Sequence, residues 1–193
     1  MYEEINEKTL RDVHKLMKNY CFHIQSYRVI KKCFAKLAGD KEFWAYTCDA
    51  HLLNATLCWC KIFGSNSEHT HWKKIFIESE RTFTKKIFCE YLKKKGIDAK
   101  EWETVHKVIL KFRNEYVAHT SNYDDIVPYF NKASRVLHIF DEWLRKTLRY
   151  DKFEFEMFSA MEKEYAKKVE ETLKKCGNER LIKCGYGRWT CQG

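Results

Sequence analysis

A short stretch near the middle of the chain, KFRNEYVAHTSNY at residues 111–123, carries the side chains best suited to chemistry. Arg113 is followed directly by Asn114, and His119 comes six residues after the arginine. An imidazole titrates near neutral pH and can accept or release a proton. A guanidinium binds a phosphate through its planar fork of donors. The three residues therefore form a candidate set for acid–base catalysis and anion binding.

The spacing of these residues limits how they can cooperate. Arg113 and His119 lie roughly 120° apart around an undistorted α-helix and about 9 Å apart along its axis. A shared site therefore requires that the regular helix ends before His119, or that a second copy of the chain completes the site. Spacing alone favours a simpler interpretation, in which His119 is a hydrogen-bonded histidine and Arg113 an ion-paired arginine at a packed helix end. The apolar stripe that leads to His119 has a spacing of three and four residues and consists of Trp102, Val105, Ile109, Phe112 and Tyr116.

Composition predicts a globular helical protein with an anionic partner. Of the 193 residues, 45% are hydrophobic and 33% charged, which suits one domain with a hydrophobic core. Only 7 Gly and 1 Pro punctuate the chain, which favours long helices over a many-stranded sheet. A net charge of +9 favours a nucleic acid as partner. Lysine-rich helix faces exposed to water would give the same charge balance.

The sequence also predicts where the protein works. No apolar run approaches the roughly 18 residues that a membrane-spanning helix requires. The N-terminal segment MYEEINEKTLRDV is charged throughout and lacks the apolar region of a signal peptide. We therefore expect a cytoplasmic protein without membrane contact, whose nine cysteines are reduced.

Hydrophobic periodicity predicts an all-α bundle of five or six helices in a single domain over residues 1–176. The tail, residues 177–193, shows no periodicity and is expected to be partly mobile. The segment HLLNATLCWCKIF is apolar almost all round, which predicts that its helix lies at the centre of the bundle. The predicted helices cover about 2–38, 41–63, 78–95, 98–119, 125–148 and 153–175, with Pro128 in the first turn of the fifth.

The cysteines and the remaining histidines do not form a recognisable metal motif. Cys58 and Cys60 are two residues apart on a predicted helix, so their side chains point in different directions. They are better explained as small buried hydrophobes. Cys176, Cys184 and Cys191 in the tail are too widely spaced for a zinc knuckle. We expect no metal and no cofactor.

Two lysine-rich segments have both a functional and a structural interpretation. In HTHWKK at residues 69–74, Trp72 and the lysines Lys73 and Lys74 could stack on and bind RNA. The favoured alternative is that Trp72 packs the loop onto the bundle while the lysines stay in water. YLKKKG at residues 91–96 is similarly more typical of a solvated helix end than of an RNA-binding patch.

The segment RNEYVAH resembles the signature of the HEPN superfamily, in which four to six residues intervene between an arginine and a histidine; here five intervene. That arginine is often followed by Asn or Asp, and the motif ends a helix of an all-α bundle. The form Arg-Asn, three residues, Ala-His is similar to the abortive-infection U-type branch of the family. The segments HLLNATLCWCKIFG and HWKKIF also resemble that branch, so the similarity extends over about residues 40–145.

The resemblance implies a homodimeric, metal-independent endoribonuclease with a role in phage defence or a toxin-like role. In that family Arg113 would clamp the scissile phosphate, His119 would act as acid and base, and Asn114 would orient the histidine or bind the phosphate. An antitoxin or a nucleotidyltransferase is a possible partner. Tyr123 follows the histidine at a looser spacing than the tyrosine that such a partner modifies, so we do not assign it that role. The alternative is a non-catalytic HEPN-type module that binds RNA or a protein.

Overall fold

The computed structural model describes residues 4–117, 128, 130–148 and 155–175. The regular secondary structure of these residues is helical apart from one isolated β-bridge between Ile5 and Phe76, so the predicted all-α class is confirmed. None of the described helices is both long and apolar enough to cross a bilayer. The six α-helices are α1 (Glu7–Cys33), α2 (Lys41–Phe63), α3 (Arg81–Lys94), α4 (Ala99–Phe112), α5 (Phe130–Leu148) and α6 (Phe158–Lys175).

Local capping signals fix the start of three helices. The side chains of Asn6, Asp40 and Asp98 each accept a hydrogen bond from the backbone N–H three residues later, at 2.8–2.9 Å. These bonds satisfy N–H groups that have no partner within the helix. Gly96 has a φ of +81°, a left-handed conformation that ends α3 without the penalty a side chain would bring. The predicted bounds of α2 and the predicted end of α3 are confirmed within one residue.

Side chains outside the helix itself shift two helix boundaries away from the predicted positions. The α-helical part of α1 ends at Cys33 and continues only as a 3₁₀ turn, Phe34–Lys36, where the Lys41 ammonium binds the carbonyl oxygens of Phe34, Ala35 and Leu37 at 2.6–3.3 Å. Helix α6 begins at Phe158, later than predicted. There the Asp141 carboxylate of α5 accepts a hydrogen bond from the Phe158 N–H at 3.1 Å and caps the helix.

Two further predicted boundaries differ in detail. Helix α3 is preceded by a 3₁₀ turn, Glu78–Glu80, rather than starting at residue 78. Pro128 is buried and lies ahead of α5 instead of inside its first turn. The predicted mobile tail at 177–193 lies outside the described residues.

An aromatic cluster joins α2, α3 and α5 in the core. Trp59, Phe63, Phe88, Phe140 and Trp143 are all buried, and neighbouring ring centroids lie 5.0–5.9 Å apart. Edge-to-face and tilted pairs of this kind stabilise a core beyond the area that they bury. The predicted central position of α2 therefore holds for its second half.

The first half of α2 is not central. Phe43 and Tyr46 are 61% and 68% exposed. The sequence pattern in this half is less apolar, and only the segment from residue 52 onward packs continuously into the core.

The aromatic cluster predicts that Trp72 contributes strongly to stability. Its indole is 3% exposed and packs against Phe88, Phe140 and Trp143. Trp72→Ala should lower the free energy of unfolding by about 3–5 kcal/mol because the cavity cannot refill. Urea denaturation measures the change. Phe83→Ala is the control, because that ring is 63% exposed and its loss should change stability by less than about 0.5 kcal/mol. Equal effects of the two substitutions would contradict the packing.

Candidate functional site

Helix α4 positions the arginine of the motif against the end of α2. Val105 and Ile109 of the predicted apolar stripe are buried, and Trp102 packs against the core. His106 donates from Nε2 to the backbone carbonyl of Phe63 at 2.8 Å, since a carbonyl oxygen only accepts. This bond ties the middle of α4 to the last residue of α2.

The α-helical geometry stops at the motif. The backbone N–H of Arg113 lies within bonding distance of both the Ile109 and the Leu110 carbonyl, and residues Arg113–Val117 then form a π-helical turn. A π-turn closes i→i+5 hydrogen bonds, so it is wider than an α-turn and rotates less per residue. The prediction of a regular α-helix is therefore wrong over Arg113–Val117, while residues 118 and 119 lie outside the described part of the chain. The angle of roughly 120° for an undistorted helix does not apply there, and such turns occur frequently at functional sites.

The Arg113 guanidinium is held in place by its neighbour. Its Nε and Nη2 groups donate to the Asn114 side-chain oxygen at 3.0 and 2.7 Å. Two of the five N–H donors of the arginine are thus used within the motif. Asn114 itself is exposed, and its described contact is with the arginine. The asparagine therefore orients Arg113, an arrangement that the sequence interpretation did not foresee.

The positive charge of Arg113 also acts on a buried side chain of α2. Cys60 on α2 is buried, and burial raises the pKa of its thiol to about 12, while Arg113 opposes that rise. Arg113 is itself half-buried. Arg113 is therefore an oriented cation at the start of the π-turn, near the last turns of α2. His119 lies outside the described residues, as does Tyr123, so the pairing of Arg113 with His119 stays a prediction.

The loop between α2 and α3 is packed onto the bundle. Trp72 is buried, which confirms the structural interpretation for that indole and excludes base stacking on it without unfolding the loop. His71 is buried as well, and its Nδ1 accepts a hydrogen bond from the Lys73 N–H at 3.3 Å. Burial lowers the pKa of His71 to about 4, and the neighbouring cations Lys73 and Lys74 contribute in the same direction. His71 is therefore neutral at physiological pH.

Cys58 and Cys60 of α2 are protonated thiols. Burial raises the pKa of Cys58 to about 11 and of Cys60 to about 12, which suits small hydrophobic side chains better than nucleophiles. Across the described ranges, no three His, Cys, Asp or Glu side chains are grouped so that they could hold a metal ion. The three cysteines of the tail lie outside these ranges.

Sequence reasoning missed a polar cluster between α1, α5 and α6. Glu162 accepts hydrogen bonds from His138 Nε2 at 2.6 Å and from Gln25 Nε2 at 3.1 Å, and it forms an ion pair with Arg28 at 3.3 Å. Arg28 also donates to the Asn131 side chain at 2.9 Å. The sequence feature that could have revealed this cluster is the spacing of polar residues along α5. Asn131, Ser134 and His138 share one face of the helix with buried residues. This polar cluster fixes the register of three helices.

Neutral His71 predicts a loss of stability in acid. Between pH 6.5 and about 4 the imidazole is protonated in the unfolded chain but not in the folded one. The unfolded state then binds more protons, so the free energy of unfolding falls as the pH falls through this window and is unaffected at pH 7. In His71→Gln this decline should be shallower, because one titrating group is gone. Urea denaturation between pH 7 and 4 measures it.

The control for this effect is His69→Gln. The His69 side chain is exposed, so this variant makes the same His-to-Gln replacement in the same loop without removing a buried imidazole. An unchanged slope in His71→Gln would show that the neutral imidazole makes no contribution.

Comparisons with known proteins do not supply an identity. The chain matches no protein-family model, no curated protein and no solved structure. Any assignment of function therefore depends on the motif, its geometry and the charges around it.

Proposed function

We propose that this protein is a metal-independent endoribonuclease of the HEPN type, with Arg113, Asn114 and His119 as its functional residues. The observation that carries the proposal is the fixed Arg113 guanidinium, oriented by Asn114 where α4 changes into the π-turn. An arginine that is already ordered loses less conformational freedom when it binds a phosphate. The net charge of +9 supports an anionic substrate.

The chemistry requires little beyond these residues because RNA carries its own nucleophile. His119 removes the proton from the 2′-hydroxyl or protonates the leaving 5′-oxygen. A bond forms between the 2′-oxygen and phosphorus, and the bond from phosphorus to the 5′-oxygen breaks. Arg113 stabilises the negative charge that builds up on the phosphate oxygens. The products are a 2′,3′-cyclic phosphate and a 5′-hydroxyl. Asn114 acts as a positioning residue for the arginine.

The proposal includes an assembly and a setting. We propose a homodimer in the cytoplasm in which each site draws residues from both chains, in a phage-defence or toxin-like role. An antitoxin or a nucleotidyltransferase would be the corresponding partner. A gene for either one next to the gene of this protein would support that setting.

One observation favours a non-catalytic alternative. The Asn114 oxygen already occupies two of the guanidinium donors that a phosphate would use. If this contact persists in the presence of RNA, the motif would stabilise the helix end, and the protein would be a module that binds RNA or another protein without turnover.

Loss of the histidine distinguishes the two functions. His119→Ala should reduce the cleavage of mixed RNA in the presence of a chelator by about 10²–10⁴-fold, the range typical for a missing acid–base group. Gel analysis and end-group mapping measure the products. His69→Ala, which removes an exposed histidine outside the motif, should retain full activity. Chelator-resistant cleavage that persists in a well-folded His119→Ala protein would exclude the assignment.

Mixed dimers test whether the two chains share their sites. Arg113→Ala and His119→Ala proteins should each be inactive, yet a refolded equal mixture should regain about a quarter of wild-type activity if each site combines residues of both chains. Half of the dimers would then be mixed, and each would hold one intact site. Activity measured after refolding, with dimer formation followed by light scattering, gives the result. No recovery in a mixture that forms dimers would place each site within one chain.

A further inference from the structure

Four cations form a compact group at the loop before α3, which we call the basic corner: Lys73, Lys74, Arg81 and Lys85. Lys73 and Lys74 belong to a 3₁₀ turn, Trp72–Ile75, and Arg81 opens α3. Arg81 Nε donates to the carbonyl of Phe76, the residue that follows this turn, at 3.2 Å. The loop and the first turn of the helix are therefore tied together.

Lys73 and Lys74 of the basic corner are held by neutral groups. Lys73 Nζ lies 3.3 Å from the Asn66 side-chain oxygen, and Lys74 Nζ lies 2.9 Å from the Ser67 carbonyl. No carboxylate in the described part of the chain lies within ion-pair distance of any of the four cations. Like charges at close range repel each other, and an anion that binds between them removes that repulsion.

The pKa shifts of Lys73 and His71 are consistent with several positive charges at close range. The pKa of Lys73 is lowered by partial burial and, next, by the charge of Lys85. Lys73, Lys74 and Arg81 all act in the same direction on the buried imidazole of His71. The four cations therefore belong to one electrostatic neighbourhood.

The basic corner lies near the part of the molecule that carries Arg113. His106 of α4 is close enough for its charge to act on His71, beside the basic corner. Arg113 lies close enough to Cys60, near the end of α2, for its charge to act on that thiol, and the loop that carries Lys73 is bound there too, because Thr70 Oγ1 donates to the Lys61 carbonyl at 3.1 Å. The basic corner and Arg113 are therefore both near the last turns of α2, so one RNA strand can contact them both.

We propose that the basic corner binds the phosphate backbone of the RNA strand that is cut at Arg113. This inference rests on the proposed ribonuclease function and names how the same site holds its substrate. Several cations spread over a turn and a helix suit a polyanion better than a single phosphate ion. The buried Trp72 cannot stack on bases, so the contacts are with phosphates and are independent of base sequence.

The test is the salt dependence of binding to a single-stranded RNA with 2′-O-methyl groups, which cannot be cleaved. The logarithm of the binding constant falls with the logarithm of salt concentration, with a slope of about 0.7 for each phosphate contact on a single strand. Lys73→Gln/Lys85→Gln should reduce that slope by about 1.4. Fluorescence anisotropy over a salt series measures it.

Two matched variants serve as controls. Lys93→Gln/Lys94→Gln removes the same charge from exposed positions at the other end of α3 and should leave the slope nearly unchanged. Lys73→Arg/Lys85→Arg keeps both charges and should retain the wild-type slope. Equal losses in the two glutamine variants would overturn the proposal, since net charge alone would then explain binding.

Other outcomes separate this inference from the function on which it rests. If the basic corner is needed for binding but natural RNA is never cleaved in the presence of chelator, the ribonuclease proposal fails while the RNA-binding surface stands. If cleavage and binding are both unchanged in Lys73→Gln/Lys85→Gln, the surface is excluded and the ribonuclease proposal stands. A loss of binding to anionic phosphatidylserine vesicles, with RNA binding intact, would assign the surface to a membrane instead.

Discussion

Aromatic packing between the second half of α2 and the middle of α5 is the constraint on which the candidate site depends. Trp59 and Phe63 of α2 contact Trp102 of α4 with ring centroids 6.0 and 5.6 Å apart, and Phe63 also contacts Phe140 of α5. The indole N–H of Trp59 lies 3.3 Å from the Ala133 carbonyl of α5. Because α4 is located by these contacts, the place where it changes into the π-turn is set by the core and not by the motif.

Polar contacts then fix both flanks of the segment that carries His119. On one side, His106 ties α4 to the last residue of α2, and Asn114 orients Arg113 at the start of the π-turn. On the other side, Asn131 at the start of α5 accepts a hydrogen bond from Arg28 of α1, and Arg28 also binds Glu162 of α6. Partly buried charges of this kind are stabilised by pairing, so their partners specify how the helices align. The flanks of the motif are thus anchored to two different parts of the bundle.

Most of the helix count and the caps could be predicted from the sequence, because those signals are local. Asp40 and Asp98 cap their helices through residues three positions away, and α2 follows its apolar pattern closely. The start of α6 depends on Asp141, which lies on another helix, and no local pattern reveals that. The π-turn is similarly invisible to a rule that assumes 100° per residue. Arg113 and Asn114 could be chosen by type, but their mutual contact could not, and the position of His119 stays a prediction.

The net charge of +9 can now be traced to particular surfaces. Helix α6 carries two ion pairs between residues four apart and α4 carries one, so much of their lysine content is compensated locally, as on ordinary solvated helices. Helix α3 is different, because five basic residues face a single acidic one, Glu90, within its length. Lys95, just after α3, is paired with Glu142, so the excess remains on the helix itself. Helix α1 carries a comparable excess, with seven basic residues against two acidic ones, so the positive charge is shared between α1 and α3. The net charge therefore supports a polyanionic partner, while the place of binding depends on which cations lack a carboxylate partner in the described part of the chain, as those of the basic corner do.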